Sequence, residues 1–347
     1  MCERSGLDLI SELLKAPSPS GREEQLAEII CRKLEALRLP FTKDAAGNVV
    51  VQIPGRNSNA GPLMLAAHMD EIGMVVTAID DDGLLHVDNS GGLVPYKIGE
   101  GPVQIIGQGE GVTGALGMGS SHRADAADRV VCWRDVRIIT GLSAQQLAAR
   151  EVRVGSSVVP ARFVCGPVVF GDDNDPLVAA WTFDDRAGVA TLLRLLETMQ
   201  ARVIKPARPT LVCFTVNEEG GCHGAKVAAA RHRPEVFIAV DGCPIPPGVN
   251  LALDGRPGIW SKDRITHFDQ KLIGALCGAA AQAGTEFQVA VYDSAASDAS
   301  KVYEVGAAER VATVGHVREN SHGYEVARLS VFDNLLAALV KFMETWE

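Results

Sequence analysis

Three apolar runs constrain the fold of this chain more than any other feature. They cover residues 62–67, 211–217 and 236–240. The segments between such runs place apolar residues at helical spacing, as at Val189, Leu192 and Leu196. Strands that are apolar throughout are typical of parallel sheets whose two faces are covered by helices. We therefore predict an α/β fold with a mostly parallel central sheet and helices on both faces.

The pattern changes between about residues 74 and 166, where short β-type runs alternate with glycine turns. Several short strands separated by such turns predict a small β-barrel. A chain of 347 residues is also longer than one ordinary core requires. We predict an α/β domain in two parts, residues 1–73 and 167–347, interrupted by an inserted β-barrel domain at residues 74–166.

Local signals predict further elements of the α/β domain. Ser20 and Glu23 have the spacing of a helix-capping box, and apolar residues at helical spacing follow them. The other predicted helices and strands cover residues 48–53, 225–232, 271–283, 287–291, 310–314 and 330–345.

Composition excludes several classes of protein. The formal net charge of −10 argues against nucleic acid or an anionic membrane as the main partner. No apolar run approaches the roughly 20 residues that span a bilayer, and the first residues do not resemble a signal peptide. None of the eight cysteines forms a C-x-x-C pair, which argues against a thiolate zinc ribbon. We expect reduced thiols and a cytoplasmic protein, with local packing as the ordinary role of Cys222 and Cys243.

Two adjacent carboxylates, Glu218 and Glu219, directly follow the second apolar run. Like charges at the end of a buried strand repel each other and shift each other's protonation. A dinuclear metal site would remove this conflict, because one carboxylate could bind a metal while the other accepts a proton from water.

Other candidate ligands occupy comparable positions. His68 and Asp241 each follow an apolar run, and open α/β sheets bind ligands at the carboxyl ends of their strands. Asp70 can accept a hydrogen bond from the second ring nitrogen of His68. Asp184 and His322 are two further candidates. Two histidines and three carboxylates suit two ions such as zinc or cobalt, and the full set of candidate ligands is His68, Asp184, Glu219, Asp241 and His322. Taken singly, each residue also has an ordinary explanation as a hydrogen-bonded histidine, a helix cap, a turn cap or a loop residue.

In these motifs the sequence resembles the tetrahedral aminopeptidases, also called glutamyl or deblocking aminopeptidases, which are dinuclear metallopeptidases. The resemblance covers nearly the whole chain in the same order. The matching segments are Ala67-His68-Met69-Asp70-Glu71-Ile72-Gly73, Phe183-Asp184-Asp185-Arg186-Ala187-Gly188, Asn217-Glu218-Glu219-Gly220, Val240-Asp241 and Ser321-His322.

The resemblance implies a role for each candidate. His68 and Asp241 would hold one metal ion, Glu219 and His322 the other, and Asp184 would bridge the two. Glu218 would be the general base, and Asp70 would orient His68. The inserted domain would mediate assembly into a homo-oligomer, from a dimer to a dodecamer, and the substrates would be short peptides.

The chain departs from the family pattern at three places. It has Ala295-Ala296-Ser297-Asp298 where the family often has Gly-Gly-Thr-Asp, and Arg318-Glu319-Asn320-Ser321 before the last ligand where the family often has Arg-Tyr-Ile. Gly242-Cys243-Pro244 follows Asp241 in place of the more usual β-branched residues. No metal ligand is lost, so we expect these changes to affect the substrate pocket and the oligomer.

Other functions stay open at this point. A related dinuclear carboxypeptidase, dipeptidase or deacylase would share the α/β core. A glycosidase would use Glu218 and Glu219 as its two carboxylates, but it would leave His68 and His322 unexplained. A catalytically silent assembly protein would have no need of the intact ligand set.

Overall fold

The computed structural model of the chain describes residues 3–107, 111–120, 122 and 130–347. None of the described helices is both long and apolar enough to cross a bilayer. They are α1 (Glu3–Leu13), α2 (Glu24–Ala36), α3 (Pro95–Ile98), α4 (Ala144–Ala148), α5 (Phe183–Ala201), α6 (His223–His232), α7 (Gln270–Gln282), α8 (Asp298–Glu304) and α9 (Ser330–Thr345).

The strands form two sheets and a barrel. In chain order they are β1 (Phe41–Lys43), β2 (Val49–Ile53), β3 (Leu63–His68), β4 (Gly73–Ile79), β5 (Leu85–Ser90), β6 (Gly101–Ile106), β7 (Val112–Gly117), β8 (Arg137–Ile139), β9 (Ser157–Pro160), β10 (Val168–Phe170), β11 (Leu177–Trp181), β12 (Thr210–Thr215), β13 (Val236–Val240), β14 (Cys243–Pro244), β15 (Gly258–Lys262), β16 (Gln288–Val291), β17 (Arg310–Gly315), β18 (Val317–Glu319) and β19 (Tyr324–Arg328).

The central sheet has eight described strands in the order β1-β2-β12-β3-β13-β17-β15-β16. Its middle is parallel, because β12, β3, β13 and β17 all run in the same direction. Antiparallel pairings occur towards the two margins, where β2 joins β12 and β15 joins β17. Every residue of β3, β12 and β13 is buried, as expected for strands covered on both faces. The predicted α/β fold is confirmed.

The inserted barrel is also confirmed. Its strands close in the order β4-β5-β8-β7-β6-β9, within residues 73–160. Along β7 buried and more exposed residues alternate, which is the pattern of a strand with one face on a barrel interior. The barrel has its own apolar core, which includes Met74, Leu85, Ile105 and Ile138. The domain limits at residues 73/74 and 166/167 stay a prediction.

A second sheet of five described strands, in the order β10-β11-β19-β18-β14, was not predicted. Three of its strands have only two or three residues, so they carry too little sequence for a periodic pattern. This sheet matters for the site because the segment after β11 and the turn between β18 and β19 both supply candidate ligands.

The predicted capping box at Ser20 is wrong. Helix α2 begins at Glu24, and its N-cap, Glu23, makes no capping hydrogen bond with its side chain. The Ser20 hydroxyl instead donates to Asp70 Oδ2 at 2.6 Å. A bond to a buried carboxylate is stronger than a neutral cap, so the tertiary contact outweighs the local signal.

Candidate metal centre

Three neighbouring parallel strands bring their carboxyl ends to one edge of the central sheet. The register aligns Thr215 at the end of β12 with His68 at the end of β3, and β13 pairs on the other side of β3. Glu218 and Glu219 follow β12, and Asp241 follows β13. The topology therefore places these candidate residues around one point.

Asp184 reaches the same point from the beginning of α5. The backbone is not helical at Asp184 (φ −78°, ψ 104°) or at Asp185 (φ −118°, ψ 41°), and the peptide bond between them is cis. The regular part of α5 therefore begins at Arg186, and the helix predicted from the spacing of Val189, Leu192 and Leu196 is confirmed. Both carboxylates face the sheet edge, where Asp184 Oδ1 lies 3.1 Å from His68 Nε2 and His68 N donates to Asp185 Oδ2 at 3.3 Å.

His322 approaches from the turn between β18 and β19. Its backbone is left-handed, with φ 60°. The inserted domain contacts His322 through Gly92. The approach is so close that a Cβ on Gly92 would lie only 2.4 Å from His322 Nδ1. A Cβ on the neighbouring Gly91 would lie 3.1 Å from Glu219 Oε2. The inserted domain thus closes one side of the site, which the sequence did not indicate.

Asp184 lies between the two histidines. Its Oδ1 is 3.1 Å from His68 Nε2, and its Oδ2 is 3.5 Å from His322 Nε2. His322 Nε2 is also 3.4 Å from Glu219 Oε1. One potential ligand atom from each of His68, Asp184 and Glu219 lies within 4.8 Å of the others, and Asp184, Asp185 and Asp241 form a second such group. The structure therefore brings all five predicted metal ligands together.

Asp70 contacts more of the site than the sequence suggested. His68 Nδ1 lies 3.4 Å from Asp70 Oδ1 and 3.1 Å from the Asp70 backbone oxygen. The carboxylate also accepts hydrogen bonds from the backbone nitrogens of Glu218 at 2.9 Å and Glu219 at 3.1 Å. Asp70 thus ties the end of β3 to the end of β12, and it fixes the backbone of the Glu218–Glu219 pair.

Burial dominates the protonation of the site carboxylates. It raises the pKa of Glu219 to about 7 and the pKa of Asp241 to about 7. It also raises the pKa of Glu218 well above the ordinary value. These shifts mean that the acids retain protons that a bound cation would displace.

Asp184 behaves in the opposite way. Burial alone would raise its pKa, but the Arg318 guanidinium, with His322 and His68, holds the pKa of Asp184 well below its usual range. For His322, burial lowers the pKa, but Glu219 and Asp184 outweigh burial and raise it to about 10. Asp184 is therefore the permanent anion at the middle of the cluster.

Arg318 is the residue that sequence reasoning missed. It is 3% exposed, donates to Asp184 Oδ2, and places Nε 2.8 Å from Glu325 Oε1. Gly242 makes room for it, because a Cβ at that position would lie 0.9 Å from Arg318 Nη1. Arg318 stands where the family pattern also has arginine, so no local departure in the sequence marks its contact with Asp184.

A cavity of about 370 Å³ opens onto this cluster. Glu218, Glu219 and His322 lie on one wall, while the aromatic and proline side chains of Pro244, Trp260 and Tyr292 contribute an apolar wall. The Tyr292 hydroxyl donates to the Pro244 backbone oxygen at 2.9 Å, which fixes this apolar wall. The cavity can therefore hold a small organic substrate against the carboxylates.

The donor set matches divalent cations. Imidazole nitrogens and carboxylate oxygens are the usual ligands of zinc and related ions. Here His68, Asp184 and Asp241 are buried, and the donor atoms are closely spaced. The Asp70 backbone oxygen, 3.1 Å from His68 Nδ1, supplies the outer hydrogen bond that metal-binding histidines commonly make, and the Asp70 carboxylate lies beside it at 3.4 Å.

Comparison with known proteins gives a consistent result. A family model described as M42 glutamyl aminopeptidase matches residues 47–337. The glutamyl aminopeptidase of Lactococcus lactis subsp. cremoris (strain MG1363) is 26% identical over 243 residues, which cover 68% of this chain and 66% of that protein.

Solved structures share the whole architecture. An aminopeptidase from the archaeon Desulfurococcus kamchatkensis matches with a TM-score of 0.89 at 26% identity, over 99% of this chain and 96% of that one. The TET1 peptidase of Pyrococcus horikoshii, described as assembling into a tetrahedron or a large octahedral shell, matches with a TM-score of 0.85 at 23% identity. That match covers 98% of this chain and 99% of that one, and it shows a common fold.

Proposed function

This chain belongs to the M42 glutamyl aminopeptidase family and is a peptide hydrolase, and from that premise we propose that it removes N-terminal residues from short peptides with the help of two divalent ions. Zinc and cobalt suit the donor set. The observation that carries the proposal is the position of Asp184, whose two carboxylate oxygens each face a different histidine.

We assign the ligands in two halves. His68 and Asp241 would hold one ion, Glu219 and His322 would hold the other, and Asp184 would be shared. The 3.1 Å separation of His68 Nε2 from Asp184 Oδ1 supports the first half. The separations of His322 Nε2 from Asp184 Oδ2 and Glu219 Oε1, 3.5 and 3.4 Å, support the second.

When bound, the two ions supply a water of lowered pKa and polarise the scissile carbonyl group. Glu218 takes the proton from the attacking water and later delivers it to the leaving amine. Burial raises the pKa of Glu218 above its ordinary value, which is the direction expected for a carboxylate that accepts a proton in a poorly solvated site. Asp70 holds Glu218 in place through the backbone nitrogen and orients His68.

We also propose that the protein is a homo-oligomer assembled through the inserted domain. The Pyrococcus horikoshii relative has this fold and forms large shells. Within residues 74–166, Tyr96, Ile139 and Phe163 are 78%, 61% and 74% exposed, and large apolar side chains at a surface mark contact sites between proteins. The cytoplasmic location stays a prediction from composition.

A panel of peptides tests the activity. Purified protein reconstituted with Zn²⁺, Co²⁺ or Mn²⁺ is given the same short peptides with a free amine, with an acetylated amine and with an amidated carboxyl end. An aminopeptidase cleaves the first and third and leaves the second intact. Cleavage that requires a free carboxyl end, or release of the acetyl group, would instead identify a carboxypeptidase or a deacylase. Cleavage restricted to unmodified dipeptides would identify a dipeptidase.

A further inference from the structure

A second group of metal-binding atoms lies next to the proposed base. Glu218, Cys222 and Asp298 each contribute one such atom, and the three atoms lie within 4.8 Å of one another. The Cys222 thiol donates to Glu218 Oε1 with a sulfur–oxygen distance of 3.3 Å. Neither Cys222 nor Asp298 belongs to the ligand set assigned above.

Three different elements converge to form this group. Glu218 follows β12, Cys222 immediately precedes α6 with a left-handed backbone (φ 57°), and Asp298 is the first residue of α8. Asp298 Oδ2 accepts a hydrogen bond from the Thr215 hydroxyl at 2.7 Å. Asp298 Oδ1 has no hydrogen-bond partner in the described part of the chain, although the residue is only 3% exposed. A buried carboxylate oxygen without a donor is costly, and this orphaned oxygen is an independent sign that the site takes a ligand.

We propose that Glu218, Cys222 and Asp298 form a separate binding site for a thiophilic divalent cation such as Zn²⁺ or Cd²⁺. Ligands about 2.0–2.3 Å from a tetrahedral ion lie about 3.5 Å from each other, close to the 3.3 Å between Cys222 Sγ and Glu218 Oε1. A thiolate selects soft ions over Mg²⁺ or Ca²⁺. On binding, the sulfur–hydrogen bond is replaced by a sulfur–metal bond and the proton goes to solvent.

Glu218 lies on the cavity wall, so an ion can enter from the substrate side. The site offers three protein ligands, and one of them, Glu218, also serves catalysis. It therefore binds a cation more weakly than the main centre does and fills only at a higher metal concentration. The consequence rests on the proposed function: a Glu218 carboxylate held by this cation cannot accept a proton from water. Excess zinc therefore inhibits the enzyme through Cys222.

Cobalt titration of the full-length protein under reducing, anaerobic conditions tests the binding. A thiolate-to-cobalt charge-transfer band should grow in the near ultraviolet after the first two equivalents are bound, together with a third equivalent of cobalt by elemental analysis. Both should be lost in Cys222→Ser and kept in Cys243→Ser, which removes a different buried thiol. Asp298→Asn should weaken the third equivalent by about tenfold or more. No band in the wild type, or an equal band in Cys222→Ser, would overturn the site.

An activity measurement then tests the consequence. Peptide hydrolysis by the wild type should fall as zinc is raised above two equivalents, and Cys222→Ser should resist this fall. Equal inhibition of the two proteins refutes the inhibitory role. Because the cobalt band does not depend on turnover, a protein that binds the third ion but cleaves no peptide would contradict the proposed function and leave the site standing.

Discussion

Arg318 donates to Asp184 Oδ2, the same carboxylate oxygen that lies 3.5 Å from His322 Nε2. The guanidinium is buried between Asp184 and Glu325, and it fits only because residue 242 is glycine. The candidate metal centre therefore contains a fixed internal cation. That cation partly balances the carboxylates before any metal ion binds.

Replacing Arg318 by Met should destabilise the metal-free protein by about 3–5 kcal/mol, because Glu325 becomes a buried charge without its arginine partner and Asp184 keeps only the two histidines as counter-charges. Denaturant unfolding measures the change. Arg310→Met is the matched control, since Arg310 pairs with a partly exposed Asp269 and its loss should cost no more than about 1 kcal/mol. Zn²⁺ should restore more stability to Arg318→Met than to the wild type. Equal costs for the two arginine variants would show that the internal cation is unimportant.

The sequence predicts the ligands on the central sheet because each one follows an apolar run. His68, Glu219 and Asp241 are visible in that way, and the parallel order of β3, β12 and β13 then brings them to one edge. Arg318 cannot be found by such local reasoning, since its position depends on Gly242, which lies far away in the chain.

Sequence patterns also missed the second sheet and gave the wrong role for Ser20. The second sheet consists partly of strands too short to show a period, so the approach of His322 was not predictable. Ser20 has a strong local helix-capping signal, yet it binds Asp70 because a buried carboxylate is the better acceptor. Local patterns predicted the elements of the fold, whereas long-range charge pairing decided the details of the site.

The metal-free protein should become less stable as the pH rises from about 4 to 7. Glu219 and Asp241 keep their protons to about pH 7 in the folded state, because burial raises each pKa to about 7. The unfolded chain releases these protons near pH 4. Between about pH 4 and 7 the folded state therefore binds more protons, and each group lowers the unfolding free energy by up to about 1.4 kcal/mol per pH unit as the pH rises.

His322 continues this trend at higher pH, because its folded pKa of about 10 exceeds the ordinary value of 6.5. Urea unfolding at about pH 5 and 7, with chelator and with Zn²⁺, measures the effect of the two carboxyl groups, and a further measurement at about pH 9 adds that of His322. Metal-free protein should be less stable at the higher pH, and the zinc-loaded protein should not show this loss. If the unfolding free energy of the metal-free protein instead rises between about pH 5 and 7, burial does not raise the pKa values of Glu219 and Asp241.

Asp70→Asn should lower kcat by about 10- to 100-fold, the usual cost of losing an outer hydrogen-bond partner of a metal site. The variant retains an acceptor oxygen but loses the charge facing His68 and the second acceptor for the Glu218–Glu219 backbone. Ser20→Ala is the control, because it removes only one hydrogen bond to Asp70. Steady-state kinetics and metal content should be compared for both. An Asp70→Asn enzyme no slower than Ser20→Ala would remove Asp70 from the proposed machinery.

Chelation should abolish hydrolysis and also destabilise the fold. At a free concentration of one hundred times its Kd, each ion stabilises the folded state by about 2.7 kcal/mol. Thermal unfolding should therefore shift to a lower temperature after the metal is removed. Zn²⁺ or Co²⁺ should restore both properties, whereas Mg²⁺ should restore neither, because nitrogen ligands suit it poorly. Unchanged stability after complete metal removal would mean that the carboxylates at the end of β12 are tolerated without cations.

The most direct test of the whole account is Glu218→Gln, assayed together with its metal content. The substitution preserves shape and removes the proton acceptor, so kcat on a free-amine peptide should fall by about 10²- to 10⁴-fold, while the two divalent ions per subunit remain bound. Glu304→Gln, on the exposed surface of α8, should behave as the wild type. Near-normal turnover by metal-replete Glu218→Gln would contradict the assignment of Glu218 as the base and the mechanism built on it.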